Sequence, residues 1–322
     1  MLDLITIGDS TLDTFLILDE KSDASKLTKD KKLVCFNYAQ KIPITNTAQS
    51  VGGNAANVAV GTKKLGHTSA IVTELGDDIN GHIIKSELEE SKVSTKMVKI
   101  IRNEETRYSI VLNYKSERTI LSYHAKRNYI LPKLPQTKWI YYTSLGKTFE
   151  KVQTKLEGHL KKNPNIKLAM NPGSYQFSKG LSKIKKILPH ADILFVNKEE
   201  AIKLVGKKKS IKGLFSSLHK MGAKEVIITD STNGSYASNG VEKLFMRTYA
   251  IPALARTGAG DAYTSGYLSA TMYGKSMSEA MQWGTANAGG VIQAFGAQKG
   301  LLSKAKLENI IKKHKQIKPR KM

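Results

Sequence analysis

The chain opens on a short apolar run, "MLDLITIGDS", that stops in a polar turn, the pattern of a buried strand running into a loop. From Asp13 to Ile44 the pattern is interrupted and β-like: "TFLILDE", a charged loop, then "KLVCFNYAQKIPI". The stretch from Val98 to His124 has the same character. There "TRYSIVLNYKSERTILSYH" alternates apolar and polar positions about a break at "NYKSER", which predicts a hairpin. Between the two lies "NAANVAVGTKKLG", a helix of small residues stopped by Gly66. Beyond about Pro132 the runs "KWIYYTSL", "KLAMNPG", "ADILFVN" and "EVIITDS" alternate with helix-like stretches, as in βαβ units around a parallel sheet. The pattern predicts one α/β core with two β-rich insertions that form a small second sheet.

Parallel sheets bind ligands outside the carboxyl ends of their strands, and several of these strands end in polar or glycine-containing text: "NPGS", "NKEE", "TDSTNGS". In "ARTGAGDAYTSGYLSATMYG" the apolar spacing after Asp261 predicts a packed helix, so Gly258, Ala259 and Gly260 fall at its N-terminus. Open N–H groups and the helix dipole favour an anion there, and small residues let a phosphate approach. Asp261 beside it suits a base for a hydroxyl attacking a phosphoryl group. A capped helix start with turning glycines fits that spacing equally well. In "VGGNAANVAVG" the pair Gly52–Gly53 permits a tight bend, and Asn54 and Asn57 offer amides to a polyol; a close helix–strand contact is the alternative. Asp9 and Asp13 in "GDSTLD" suit two adjacent hydroxyls, although a turn or cap aspartate is the simpler reading. Asn197 and Glu200 in "FVNKEEA" are, on spacing alone, best read as a capping box.

Composition narrows these readings. Of 322 residues, 40% are hydrophobic and 24% charged, which is globular. No run approaches the roughly 18 apolar residues of a membrane span, and no charged leader precedes a long apolar stretch, so a cytoplasmic protein without a signal peptide is expected. Cys35 is the single cysteine, which excludes internal disulfides and a thiolate metal cluster. The histidines show no metal-site spacing, no GxSxG elbow is present, and no GK[ST] completes a Walker loop. The net charge is +24, from 51 Lys+Arg against 27 Asp+Glu. The basic residues are mostly scattered lysines, densest in "TKDKKL", "GKKKSIKG" and "KKHKQIKPRKM", without interleaved aromatics. A solvated lysine-rich surface fits best; nonspecific nucleic-acid binding is the alternative.

The motifs occur together and in order, and in this the chain resembles the PfkB, or ribokinase-like, family of sugar and nucleoside kinases. "GGNAANVA" and "TGAGDA" match its two signatures; "GDDINGHIIKSELEESKVST", "FVNKEEAIKLVG" and "ANAGGVIQAFGAQKGLL" resemble its intervening segments, from Leu4 to about Leu302. The resemblance implies a Rossmann-like, three-layer α/β core (residues 1–13, 47–99 and 125–322) with a β lid from two insertions (14–46 and 100–124). It implies Asp261 as the base, with Gly258, Ala259 and Gly260 forming the anion hole for the transferred phosphoryl. Asn197 and Glu200 then organise the ATP phosphates and Mg2+, with Glu200 acting through water. Thr229 to Gly234 lie against the nucleotide, Asn287 lies near the adenine, and Arg256 is on the ATP side. Asp13, Gly52, Gly53, Asn57 and Asn171 bind the acceptor. A homodimer through paired lids is also implied.

The chain departs from the ribokinase pattern in several places. Ala255 stands where ribokinases carry an aspartate that helps bind an activating monovalent cation, which puts potassium activation in doubt. Arg256, usually a small or hydroxyl residue, either supplies charge in place of that ion or faces solvent. Asn54, Gly146 and Ser231 replace a lysine, an acidic residue and a glycine. Phe36, Tyr38, Tyr108 and Tyr123 in the lid segments suit either stacking on a base or packing on the core. The expected function is ATP-dependent phosphorylation of a primary hydroxyl of a sugar or nucleoside. The alternative is a catalytically retired kinase fold that binds nucleic acid or a partner through its positive surface.

Overall fold

In the computed structural model, which describes residues 1–30, 32–115, 117–206 and 210–322, the long apolar runs become strands buried on both faces. Lys31, residues 207–209 of the basic run and Ser116 of the "NYKSER" break lie outside the described residues. Among the described residues the large sheet has ten strands. From one edge the order is Arg320–Lys321, Lys243–Met246, Ser235–Ser238, Glu225–Thr229, Ala191–Asn197, Lys167–Met170, Thr137–Tyr142, Leu2–Ile7, Ser69–Gly76 and Ser94–Ile101. The strands from Glu225–Thr229 to Ser94–Ile101 pair in parallel, and the other three add antiparallel.

The side-chain period of two divides each parallel strand between two cores. Ile5, Ile7, Ile140, Tyr142, Leu168, Met170, Leu194, Val196, Val226 and Ile228 face one cluster, closed by the helices Phe149–Lys162, Leu181–Ile187, Lys198–Val205 and Ile211–Lys220. Leu4, Tyr141, Ala169, Ile193, Phe195 and Ile227 face the other, closed by Ala259–Met272, Met277–Val291 and Lys304–Lys313. Helices on both faces of a mostly parallel sheet are the expected three-layer α/β arrangement. The helix Asn54–Lys64 also covers this second face and ends before Gly66, whose φ is 100°.

A separate four-stranded sheet runs in the order Ile44–Gly52, Thr11–Leu18, Tyr108–Tyr114, Glu117–Tyr123. Its last two strands are the expected hairpin, with Tyr114 opposite Glu117. The sheet begins at Thr11 and includes Gly52, so it extends past both ends of segment 14–46. Ser94–Ile101, by contrast, belongs to the large sheet. Of "KLVCFNYAQKIPI", only Val34–Phe36 forms a strand, paired with Ser25–Leu27. Glu117–Tyr123 has a hydrogen-bonded neighbour on one side only, and all its residues are exposed. Among the described residues no helix is long and apolar enough to cross a membrane.

Candidate active site

The helix Ala259–Met272 starts at the carboxyl side of the sheet, and its first residues form a wall. Gly258, just before it, has a left-handed backbone (φ 81°), and a Cβ there would run into Ala297; both facts require glycine. Gly258 offers no side chain and no side-chain hydrogen bond caps the helix; the Ala259 N–H donates to Arg256 O (3.5 Å), and those of Gly260 and Asp261 stay open. Gly260 is a different case. A Cβ built there meets nothing within 4 Å, so protein packing gives no reason for a glycine. The free space belongs to a cavity.

Asp261 follows, lining the same cavity. Asn57 Nδ2 donates to its Oδ2 (2.8 Å), and Asn57 Oδ1 accepts from Gln298 Nε2 (3.0 Å). Gln298 thereby fixes which way the Asn57 amide faces. Burial pushes the Asp261 carboxyl up to about 6, against the Asn57 hydrogen bond, and the negative charges of Glu200 and Asp13 add to the rise. Such a carboxyl is ionised at neutral pH yet far more basic than an exposed aspartate.

Asn171, Asn197 and Thr229 stand at the ends of adjacent parallel strands and line this cavity with Glu200. Asn197 and Glu200 do form the capping box: Asn197 Oδ1 accepts from Glu200 N (2.8 Å), and Glu200 Oε2 accepts from Asn197 N (2.9 Å). Asn171 Nδ2 donates to Phe195 O (2.9 Å) and Glu200 Oε2 (3.4 Å), and Asn54 Nδ2 donates to Asn171 Oδ1 (3.4 Å). Glu200 Oε1 has no protein hydrogen bond among the described residues, and burial raises this carboxyl too. The cap and the cavity wall are therefore the same side chain, so the two readings of "NKEE" do not compete.

This cavity, about 230 Å³, is also lined by Asn54, Gly258 and Thr264. A larger one, about 540 Å³, lies against it and is lined by Thr229, Gly234, Tyr249, Ile251, Tyr263 and Ala288, among others. Arg118, Thr229, Arg256, Ala259 and Gly260 line both, so they mark the junction. The larger cavity is walled by the antiparallel edge of the sheet and by Met277–Val291. Tyr249, in that wall, stacks on His314 with centroids 4.5 Å apart.

The remaining candidates sit elsewhere. Asn287 is fully buried and lines neither cavity. Its Nδ2 donates to Ala262 O (2.9 Å) and Ser265 Oγ (3.0 Å), and its Oδ1 accepts from Leu302 N (3.1 Å), so it clamps helix to helix. Asp13 is on the small sheet. Its Oδ1 accepts from Thr11 Oγ1 (3.0 Å), burial raises its carboxyl, and Gly52 faces it where no Cβ would fit. Gly53 is the N-cap of Asn54–Lys64. Asp9 is held by Arg107 and by Tyr129 Oη (2.6 Å) in a buried network, so it is not free for a ligand. Of the aromatics, Tyr108 packs on the core, Tyr38 is 97% exposed, and none of the four lines either cavity.

A sequence profile for "pfkB family carbohydrate kinase" matches residues 23–304. The chain belongs to the pfkB family of carbohydrate kinases. It is similar to an ATP-dependent 6-phosphofructokinase of Thermoanaerobacterium thermosaccharolyticum (26% identical over 278 residues, 82% of this chain and 86% of that protein). It is also similar to a nucleoside kinase of Methanocaldococcus jannaschii (26% over 312 residues, 89% and 99%). A solved structure of M. jannaschii nucleoside kinase superposes with a TM-score of 0.79 at 22% identity, covering 97% of this chain and 99% of that one. Arabidopsis thaliana ribokinase complexed with ribose and ATP gives 0.75 at 20% identity, covering 97% and 99%.

Seen as a pfkB kinase, the chain has two local peculiarities in the cavity walls. Ser231, in the position expected to hold a glycine, adopts φ 50° all the same, a conformation that costs a non-glycine residue about 1–2 kcal/mol. Arg118, from the small sheet, reaches the junction although "SERTI" carries no sequence signal for it. The wall residues Tyr249, Ile251 and Ala288 were equally silent, because an apolar pocket residue and an apolar core residue look alike in sequence.

Proposed function

We propose that this pfkB kinase transfers the terminal phosphoryl group of ATP to a hydroxyl of a sugar or nucleoside, with Asp261 as general base. One observation carries the proposal: a carboxylate of raised basicity, aimed by Asn57, stands at the uncapped start of a helix where Gly260 leaves open space. The acceptor O–H gives its proton to Asp261 as its oxygen bonds to phosphorus, and the bond from phosphorus to the leaving ADP oxygen breaks. The open N–H groups of Gly260 and Asp261, with Arg256, take up the charge on the transferred group. The larger cavity suits the donor's nucleoside, beside Thr229 and Gly234.

Magnesium fits this donor set as a partner of the phosphates, not of a protein cage. Among the described residues no group of three or more His, Cys, Asp or Glu could hold a metal, while Glu200 keeps one carboxylate oxygen unengaged. Glu200 is the residue that would hold it, through water, with Asn197 fixing the carboxylate. When bound, the ion neutralises phosphate charge.

Asp13 and Asn57, on either side of Gly52–Gly53, are proposed for the acceptor hydroxyls, with the small sheet as lid. With Ala255 at its position, turnover is expected not to depend on potassium. The exposed Ile44, Ile120, Leu121 and Tyr123 on the small sheet suit a second copy of the chain. The net charge of +24 favours a second reading, polyanion binding by a retired kinase.

The test is ADP release with magnesium ATP and a panel of sugars and nucleosides, with and without potassium. Turnover that disappears in Asp261→Ala supports the first reading. No turnover on any acceptor, with salt-sensitive nucleic-acid binding at about 0.1 M salt, supports the second.

A further inference from the structure

The most cationic feature facing the cavities is a pair of arginines from different sheets' neighbourhoods. Arg118 lies on Glu117–Tyr123, the outer strand of the small sheet, and Arg256 lies two residues before Gly258. Both line both cavities. Among the described residues, the arginines in ion pairs are Arg107 and Arg127; Arg118 and Arg256 are in none. Partial desolvation lowers the basicity of Arg118; the Glu117 carboxylate, which lines the larger cavity, opposes this, and the Arg256 charge adds a smaller lowering. Two guanidiniums that line one junction and pair with no carboxylate at salt-bridge distance repel each other, and an anion between them relieves that repulsion. Beside them the open N–H groups at Gly260 face the same junction.

We propose that Arg118 is a donor-phosphate ligand supplied by the small sheet, and that with Arg256 it forms a two-arginine latch closed by a polyphosphate. This rests on the kinase reading above, in which the junction receives the donor's phosphates. A planar guanidinium binds phosphate oxygens through paired N–H donors. An anion held by both arginines turns their repulsion into a link between the small sheet and the core. Because Glu117–Tyr123 is an edge strand, its order depends on such a link more than that of the inner strands. Donor phosphates thus close the lid without help from the acceptor.

The probe is inorganic tripolyphosphate with no acceptor present. Calorimetry measures its affinity, and hydrogen exchange follows Glu117–Tyr123. The wild-type strand is expected to gain protection on binding. Arg118→Ala, at an exposed position, is expected to fold with unchanged thermal stability, lose that protection and bind about 10- to 100-fold more weakly. Arg118→Lys is expected to keep part of the affinity and little of the protection, since it retains the charge and loses the fork. Arg256→Ala is expected to weaken binding too, and the double variant to lose less than the product of the single losses. Protection that persists in Arg118→Ala, or affinity unchanged in both single variants, overturns the latch. A chain that shows the latch and phosphorylates no acceptor keeps this inference and sinks the kinase reading. Turnover without any change in Glu117–Tyr123 on binding does the reverse.

Discussion

Replacing Asp261 by Asn is expected to stop the reaction and stabilise the fold at once. The carboxyl is pushed from its ordinary 3.8 to about 6, a difference equivalent to about 3 kcal/mol at 1.36 kcal/mol per pH unit. The cavity beside it admits water, which brings the expected figure to about 2–3 kcal/mol. The direction follows from proton uptake. Between about pH 4 and 6 the folded protein holds this proton more tightly than the unfolded chain, so stability from this group falls as pH rises and is fully lost above about 6. Asn keeps the shape and still accepts from Asn57 through its amide oxygen, but carries no charge. Urea unfolding at pH 7.5 should then show the variant more stable. With m of about 3 kcal/mol/M, the midpoint should rise by about 0.7–1 M. At pH 4 the two midpoints should nearly coincide. In the same preparation kcat should fall about 10²- to 10⁴-fold. The wild-type kcat/KM should show an acid limb near pH 6. A variant no more stable than wild type at pH 7.5, or one that keeps more than a tenth of the rate, would refute the reasoning.

Three further substitutions test other parts of the wall. Gly260→Ala meets nothing within 4 Å, so thermal unfolding should show equal or slightly higher stability, by about 0.4–1 kcal/mol, while the KM for ATP rises or kcat drops. Gly258→Ala should do the opposite and cost about 1–3 kcal/mol in a denaturant titration, because its φ of 81° and the Ala297 contact both penalise a Cβ. Glu200→Gln removes a negative charge that raises Asp261, so the acid limb should move below about 6, with weaker magnesium dependence of donor binding; an unmoved limb would separate the two carboxylates.

The parallel core was legible because strands buried on both faces read as continuous apolar runs. The hairpin was legible because its first strand, Tyr108–Tyr114, alternates buried and more open positions and a polar break follows it. The TGAGD helix start could be located but not interpreted from spacing alone, since a capped turn has the same text. The open space at Gly260, which no turn requires, supports the anion site proposed above. The resemblance put Asn287 near the adenine, and a motif match carries no information on whether a buried amide's partner is a ligand or a neighbouring helix. Here it is Ala262, Ser265 and Leu302. Arg118 was invisible because its place in the cavity walls depends on where the small sheet stands against the core, and nothing local in "SERTI" encodes that. The antiparallel strands Ser235–Ser238 and Lys243–Met246 are only four residues each, too short for a period of two to stand out.

The Asn57 amide joins Asp261, 204 positions along the chain, to Gln298, 241 positions along. During synthesis Asn57 therefore emerges long before the carboxylate it meets, and Gln298, which orients the Asn57 amide, emerges last of the three. Until then Asp261 is an ordinary, solvated aspartate of low basicity. Copies that include Asp261 but end before Gln298 are thus expected to have weakened chemistry, with full activity only on the closing of the last long-range contacts.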